Sequence, residues 1–118
     1  MNGLPEITAR RDGAGAIELD FTLGADCPWL DGHFPGQPIL PGVVQIGWAA
    51  HYAAELAGRV DPPVQLERIK FKHPILPGAR LTLRLLAKGT KVHYEYLLHA
   101  ADVPLSASSG VLGHGETA

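Results

Sequence analysis

The sequence predicts an α+β domain in which one long apolar helix is wrapped by an antiparallel sheet. Three observations predict it: an alternating apolar run from Ala16, a proline-free apolar segment over 43–57, and further strand-like runs after Gly58. At 118 residues the chain is close to the usual size of one domain, which buries roughly two-thirds of its unfolded surface. No repeat or linker divides residues 1–118, so a single core is expected.

Residues 1–15 are polar and glycine-rich, and fraying is expected at their start. From Ala16, Ile17, Leu19, Phe21 and Leu23 point one way, while Glu18, Asp20 and Thr22 point the other. That is the pattern of a half-buried strand. Residues 24–42 carry four prolines and four glycines, which predicts a long ordered loop. Pro41-Gly42 ends it, and the spacing predicts a helix over 43–57 with Gly58 as its C-terminal stop. Only Gln45, His51 and Glu55 interrupt its apolar character, so the helix is expected to be enclosed. Four strands should follow as a meander: Val64–His73, Arg80–Ala87, Val92–Ala100 and Leu105–Leu112. In the first of these, Leu66, Arg68, Lys70 and Lys72 are expected on one face and Ile69 and Phe71 on the other.

Apolar residues make up 46% and charged residues 19%, the balance of a compact fold and not a disordered one. A net charge of −2 at pH 7 gives no sign of nucleic acid as a partner. Cys27 is the only cysteine, which excludes a disulfide within the chain and suits a reducing compartment. Met1–Glu6 lacks a basic segment leading into an apolar run, and no apolar stretch is long enough to span a bilayer. A cytoplasmic location is expected. His73, His93, His99 and His114 lack metal-ligand spacing, and Cys27 has no base beside it in sequence.

The stretch Asp31-Gly32-His33-Phe34-Pro35-Gly36-Gln37-Pro38-Ile39-Leu40-Pro41-Gly42-Val43 strongly resembles the signature of the hot-dog-fold 3-hydroxyacyl-acyl carrier protein dehydratases of the FabA/FabZ type. A second block, Ile69-Lys70-Phe71-Lys72-His73-Pro74-Ile75-Leu76-Pro77-Gly78, resembles that family's strand and Pro-Gly segment after the helix. Val43–Ala49 looks more like the dehydratase-like branch of aryl-polyene pathways than the housekeeping enzymes. The resemblance implies a hot-dog fold and a dimer with active sites at the subunit interface. It also implies acyl carrier protein or coenzyme A thioesters as partners. His33 would be the base, an acidic residue on the partner's helix would protonate the departing hydroxyl, and amides near Gly42 and Val43 would polarise the thioester carbonyl. Phe34 would face the substrate. The substrate brings its own phosphopantetheine, and no metal or redox cofactor is required.

Elementary chemistry agrees with those roles. An α-proton beside a thioester is weakly acidic, so its removal needs a base and stabilisation of the carbonyl oxygen together. A helix N-terminus offers unpaired N–H groups and a positive dipole end, and Gly42 would allow close approach of the oxygen. The prolines would hold His33 in register with that helix end.

One position departs from the family pattern. Fourteen residues after His33, where the acidic residue should stand, the chain has Gly47. A positioned general acid contributes roughly 10²–10⁴-fold to rate. His51, one turn further on, is the best substitute within the chain, ahead of Asp31 and Glu55. Held water or a second hot-dog protein are the other sources of a proton. The leading expectation is therefore a 3-hydroxyacyl thioester dehydratase. Its rivals are a non-catalytic acyl-binding or scaffold subunit of a heteromer, and a hot-dog thioesterase. Trp48 and Tyr52 are expected as core or dimer contacts. Arg68, Lys70 and Lys72 are candidates for docking an acidic carrier protein, set against the plainer reading of a solvated sheet face.

Overall fold

The computed structural model describes residues 3–30, 38–100 and 103–114. Among these, the elements in chain order are β1 (Ala9–Gly13), β2 (Ala16–Thr22), a 3-10 turn η1 (Pro28–Leu30), α1 (Gly42–Ala57), β3 (Gln65–Phe71), β4 (Arg80–Lys88), β5 (Lys91–Leu98) and β6 (Leu105–Gly113). All six strands form one antiparallel sheet in the order β1-β2-β4-β5-β6-β3.

The alternation read from the sequence holds in β2 and β5. Ile17, Leu19, Phe21 and Leu23 are all buried, as are Val92, Tyr94 and Tyr96. They meet Leu81, Leu83 and Leu85 of β4 and the helix residues Trp48, Ala49, Tyr52 and Ala53. Phe21 and Trp48 stand edge to face, with ring centroids 5.8 Å apart. The helix ends where Gly58 takes φ 69, its N–H and the next one returning to the carbonyls of Glu55 and Ala54.

Gln45 is the polar exception inside this core, 4% exposed. Its Nε2 donates to the Leu40 carbonyl at 3.1 Å, and its Oε1 accepts from Ser108 Oγ at 2.6 Å. Tyr96 donates its hydroxyl to the Gln45 carbonyl at 2.6 Å. The first turn of the helix is thereby fastened to β5 and β6.

The outer face carries a row of register partners crossing all six strands: Arg11, Glu18, Arg84, Glu95, Ser109 and Lys70. Opposite charges alternate through its first four positions, the favourable cross-strand arrangement. Beside that row, Arg11 donates twice to Asp20 at 2.8 Å, and Thr82 Oγ1 donates to Asp20 Oδ1 at 2.7 Å. His99 Nε2 lies 2.7 Å from the same hydroxyl. Because Thr82 spends its proton on Asp20, His99 serves it as a donor. The Arg11 guanidinium, with Thr82, holds the Asp20 carboxyl down at about 2. A carboxyl depressed in the folded state stabilises it above its unfolded pKa and loses that contribution as pH falls through the folded value. Stability should therefore decline from about pH 4 toward pH 2, by about 1 kcal/mol or less for this open pair. Acid titrations followed by circular dichroism should show that step reduced in Asp20→Asn.

Four expectations are corrected. The N-terminal segment includes a strand, β1, whose five residues are all exposed, so burial leaves no periodic signal in it. The last four strands are not a simple meander, because β3 lies at the far edge beside β6 and not beside β4. Within β3 the phase changes at a bulge between Glu67 and Lys70, where Arg68 adopts φ 53. The bulge puts Leu66 in register with buried Leu112 and Phe71 with Ser108, while Lys70 faces outward opposite Ser109. Finally, the helix is not enclosed by its own chain: Val43, Gly47, His51 and Glu55 are exposed along one face.

Candidate functional site at the helix tip

The exit of the proline-glycine loop is firmly seated. Leu40 is 1% exposed, and its N–H donates to the Ile75 carbonyl at 2.9 Å. Pro41 follows as N-cap with φ −60 and ψ 145, extended backbone that gives no side-chain cap. The amides of Val44 and Gln45 both return to the Pro41 carbonyl, at 3.1 and 3.2 Å. Among the described residues, those of Gly42 and Val43 have no acceptor. Two free N–H groups at the positive end of a 16-residue helix suit a developing negative oxygen.

A hollow of about 360 Å³ opens beside this tip, lined by Ile39, Pro41, Gly42, Phe71, Lys72 and His73. The room made by Gly42 is taken by Phe71, since a Cβ at position 42 would stand 2.7 Å from its ring. Gly42 was expected to let an oxygen approach the backbone; in the structure it also admits the aromatic ring of β3. Sequence reading missed Phe71, whose contact with Gly42 spans 29 residues. It missed less of Gln45, whose polarity inside an apolar helix was the visible signal.

Gly47 and His51 share the uncovered helix face. Together with Ala50, Ala54, Glu55 and Arg59 they line an open groove of about 630 Å³. Among the described residues, a Cβ at Gly47 would meet nothing within 4 Å, so none of their helices or strands explains the glycine by close packing. His51 is exposed, its ring edge-on to Tyr52 at 4.9 Å. Glu55 is tied by Arg10, which also bonds Asp12 at 2.8 Å. Trp48 and Tyr52 point into the core, at 4% and 8% exposure. His33, Phe34 and Asp31 lie outside the described residues.

The three cations expected to share one strand face do not share one place. Arg68 and Lys70 border a groove of about 360 Å³ on the outer sheet face with Arg84, His93 and Ser109. Lys72 instead lines the helix-tip hollow, with Nζ 2.9 Å from Ser106 Oγ. His93 is held below the ordinary histidine value by burial and by Lys88, Arg68 and Lys91, the mark of a local positive field. Among the described residues, no group of three or more His, Cys, Asp or Glu side chains is placed to hold a metal, and no helix is long and apolar enough to cross a membrane.

One helix packed on a six-stranded antiparallel sheet is the setting of the likenesses to known proteins. The chain is 37% identical over 73 residues to the 3-hydroxyacyl-[acyl-carrier-protein] dehydratase FabZ of Geobacter metallireducens, covering 54% of this chain and 49% of that protein. It is 31% identical over 86 residues to FabZ of Pelotomaculum thermopropionicum, covering 67% and 61%. The alignments thus span about half the length of these relatives. The dehydratase heterocomplex ApeI:P from Xenorhabdus doucetiae superposes with a TM-score of 0.82 at 30% identity, covering 92% of this chain and 96% of that one. An uncharacterized protein from Erwinia carotovora subsp. atroseptica gives 0.80 at 35% identity, covering 93% and 94%. The dehydratase domain of the polyketide PpsC from Mycobacterium tuberculosis, at 15% identity and TM-score 0.71, shares the fold over 97% of this chain and 45% of its own.

These likenesses define a hot-dog fold of the FabZ-type dehydratase class. Within it, the model of the ApeI-like family, described as ApeI dehydratase, matches residues 9–110, and the chain belongs to that family.

Proposed function

We propose that the protein removes water from a 3-hydroxyacyl thioester carried on acyl carrier protein, giving the trans-2-enoyl product, in fatty-acid or polyene-type biosynthesis. The observation that supports it most is the pair of amides at Gly42 and Val43, without an acceptor among the described residues, at the end of the loop that begins His33-Phe34-Pro35-Gly36. In this reading His33 takes the proton from the carbon next to the thioester, and the two amides hold the charge that moves onto the carbonyl oxygen. The bond from C3 to its hydroxyl then breaks, and the hydroxyl leaves as water once it receives a proton. No cofactor enters the sequence of steps. Carrier-protein docking falls to Arg68 and Lys70 on the outer face and to Lys72 by the helix tip. The exposed Leu66 and Phe71 on edge strand β3, with exposed Val43, favour a second hot-dog subunit against that side.

A second reading is favoured by Gly47. With no side chain at Gly47 to give a proton, the chain would act as the acyl-binding subunit of a heteromer whose partner completes the chemistry. A dehydratase heterocomplex, ApeI:P, is among the solved structures that this chain resembles. A thioesterase is the weaker rival, because the one carboxylate of the helix, Glu55, is engaged by Arg10.

The purified protein should be incubated with a 3-hydroxyacyl thioester and water loss followed by mass. Turnover that falls by about 10²-fold or more in His33→Ala supports the lyase. Binding without turnover supports the acyl-binding subunit, and turnover that needs a second hot-dog protein supports the heteromer. Release of free thiol would mark a thioesterase.

A further inference from the structure

We infer that the N-terminal segment acts as a tie: the Gly3 carbonyl accepts from the indoles of both Trp29 and Trp48, so these two tryptophans act as positioning residues that fix η1 against α1. Trp29 Nε1 donates to Gly3 O at 2.8 Å, and Trp48 Nε1 donates to the same oxygen. An indole nitrogen is a donor only, and a carbonyl oxygen has two lone pairs, so one oxygen satisfies both rings. They are the only tryptophans in the chain.

Position 3 is built for this contact. Gly3 has φ 95, which side-chain-bearing residues rarely adopt, and a Cβ there would stand 2.7 Å from Trp29 Cζ2. Leu4 and Ile7 pack against the core, and Thr8 N–H donates to the Asp20 carbonyl at 2.8 Å before β1 begins. The segment therefore runs as a strap anchored at both ends, from the sheet edge to the two indoles.

What the strap joins gives it a role. η1 and α1 are the elements that flank the proline-glycine loop carrying the motif. The α1 side has anchors of its own, through Leu40 to Ile75 and Gln45 to Leu40. On the η1 side Leu30 is buried, but its N–H reaches only Cys27, three residues back, at 3.1 Å. The bond from Trp29 to Gly3 is the hydrogen bond that links η1 to a distant part of the chain among the described residues. Trp48 stands next to Gly47, so the same oxygen also opposes rotation of the helix about its axis.

The kinetic part of this inference rests on the dehydratase reading; the structural part does not. Trp29→Phe keeps the ring and removes its donor, and Gly3→Ala removes the acceptor geometry. In both variants hydrogen exchange at the Leu30 amide should speed by about five- to tenfold, the weight of one such bond, while the amides of β4 and β5 keep their rates. The indole N–H resonance of Trp48 should move in Trp29→Phe. In the dehydration assay kcat should fall several-fold with KM unchanged. Unchanged exchange at Leu30, or equal acceleration in β4 and β5, overturns the tie. Faster exchange at Leu30 with kcat intact overturns the positioning role. A wild-type protein without turnover defeats the dehydratase reading, and the exchange measurement still decides the tie.

Discussion

Replacing Gly47 by glutamate is expected to raise the rate of dehydration by about 10²-fold or more, the contribution of a positioned general acid. The substitution is sterically free among the described residues, where a Cβ at this position meets nothing within 4 Å and the helix face is exposed. It should also not cost stability. Glycine inside a helix is about 0.8–1 kcal/mol less favourable than alanine, and glutamate is among the better helix formers. Thermal unfolding of Gly47→Glu should therefore occur at or slightly above the wild-type temperature.

Gly47→Gln separates the proton from the side chain that carries it. It has nearly the same size and helix propensity but cannot act as an acid near neutral pH, so it should leave the rate close to wild type. If Gly47→Glu folds well and dehydrates no faster, the acid does not belong at this position. His51 is then the next group to test, since it lines the same groove one turn away. Should both glutamate and glutamine raise the rate equally, the gain comes from filling the groove and not from proton donation.

The parts of the fold that could be read from the sequence were those whose burial follows local periodicity. Ile17, Leu19 and Phe21 announce β2, and Val92, Tyr94 and Tyr96 announce β5, because each strand buries one face on the helix. The helix limits were legible from Pro41 and Gly58, which act through backbone geometry alone. β1 was not legible because Arg10, Arg11 and Asp12 are solvated and held by pairing with β2 and by ion pairs. The β3 bulge was hidden for another reason: a left-handed bulge position usually signals itself by glycine, and here it is Arg68. Its phase change separates Leu66, in register with buried Leu112, from outward Lys70, while Lys72 lies beyond the end of the strand.

The site divides along the same line. The motif and the helix start are contiguous in sequence, so the free amides of Gly42 and Val43 could be anticipated. Contacts across long separations could not: Phe71 on Gly42, Ser108 on Gln45, and both tryptophans on Gly3. Each depends on which strand lies beside which, and β3 joins β6 only after the whole of β4 and β5 has been laid down.

Gln45→Ala should be the most damaging truncation of a polar side chain in the helix, lowering stability by about 2–4 kcal/mol. The side chain fills core space at 4% exposure, and its amide answers two groups at once. Without it, the Ser108 hydroxyl is left 1% exposed with its acceptor gone, and the Leu40 carbonyl loses the donor that holds the loop exit to the helix. For a domain of this size that corresponds to a fall in Tm on the order of 10 °C. Ser108→Ala removes the hydroxyl but leaves Gln45 bonded to Leu40, so it should cost about 1–2 kcal/mol. The double variant should then cost less than the two losses added, since each single change strands one partner of the buried Gln45–Ser108 bond and the double change removes both partners. Denaturant unfolding of the four proteins measures the coupling directly. Additive losses, or a Gln45→Ala penalty under about 1 kcal/mol, would mean that the helix tip is held by packing of Leu40 and Tyr96 and that the buried amide is incidental. Coupled losses make Gln45 the post on which the N-terminal end of the helix is fixed, and any gain from Gly47→Glu should then vanish in the Gln45→Ala background.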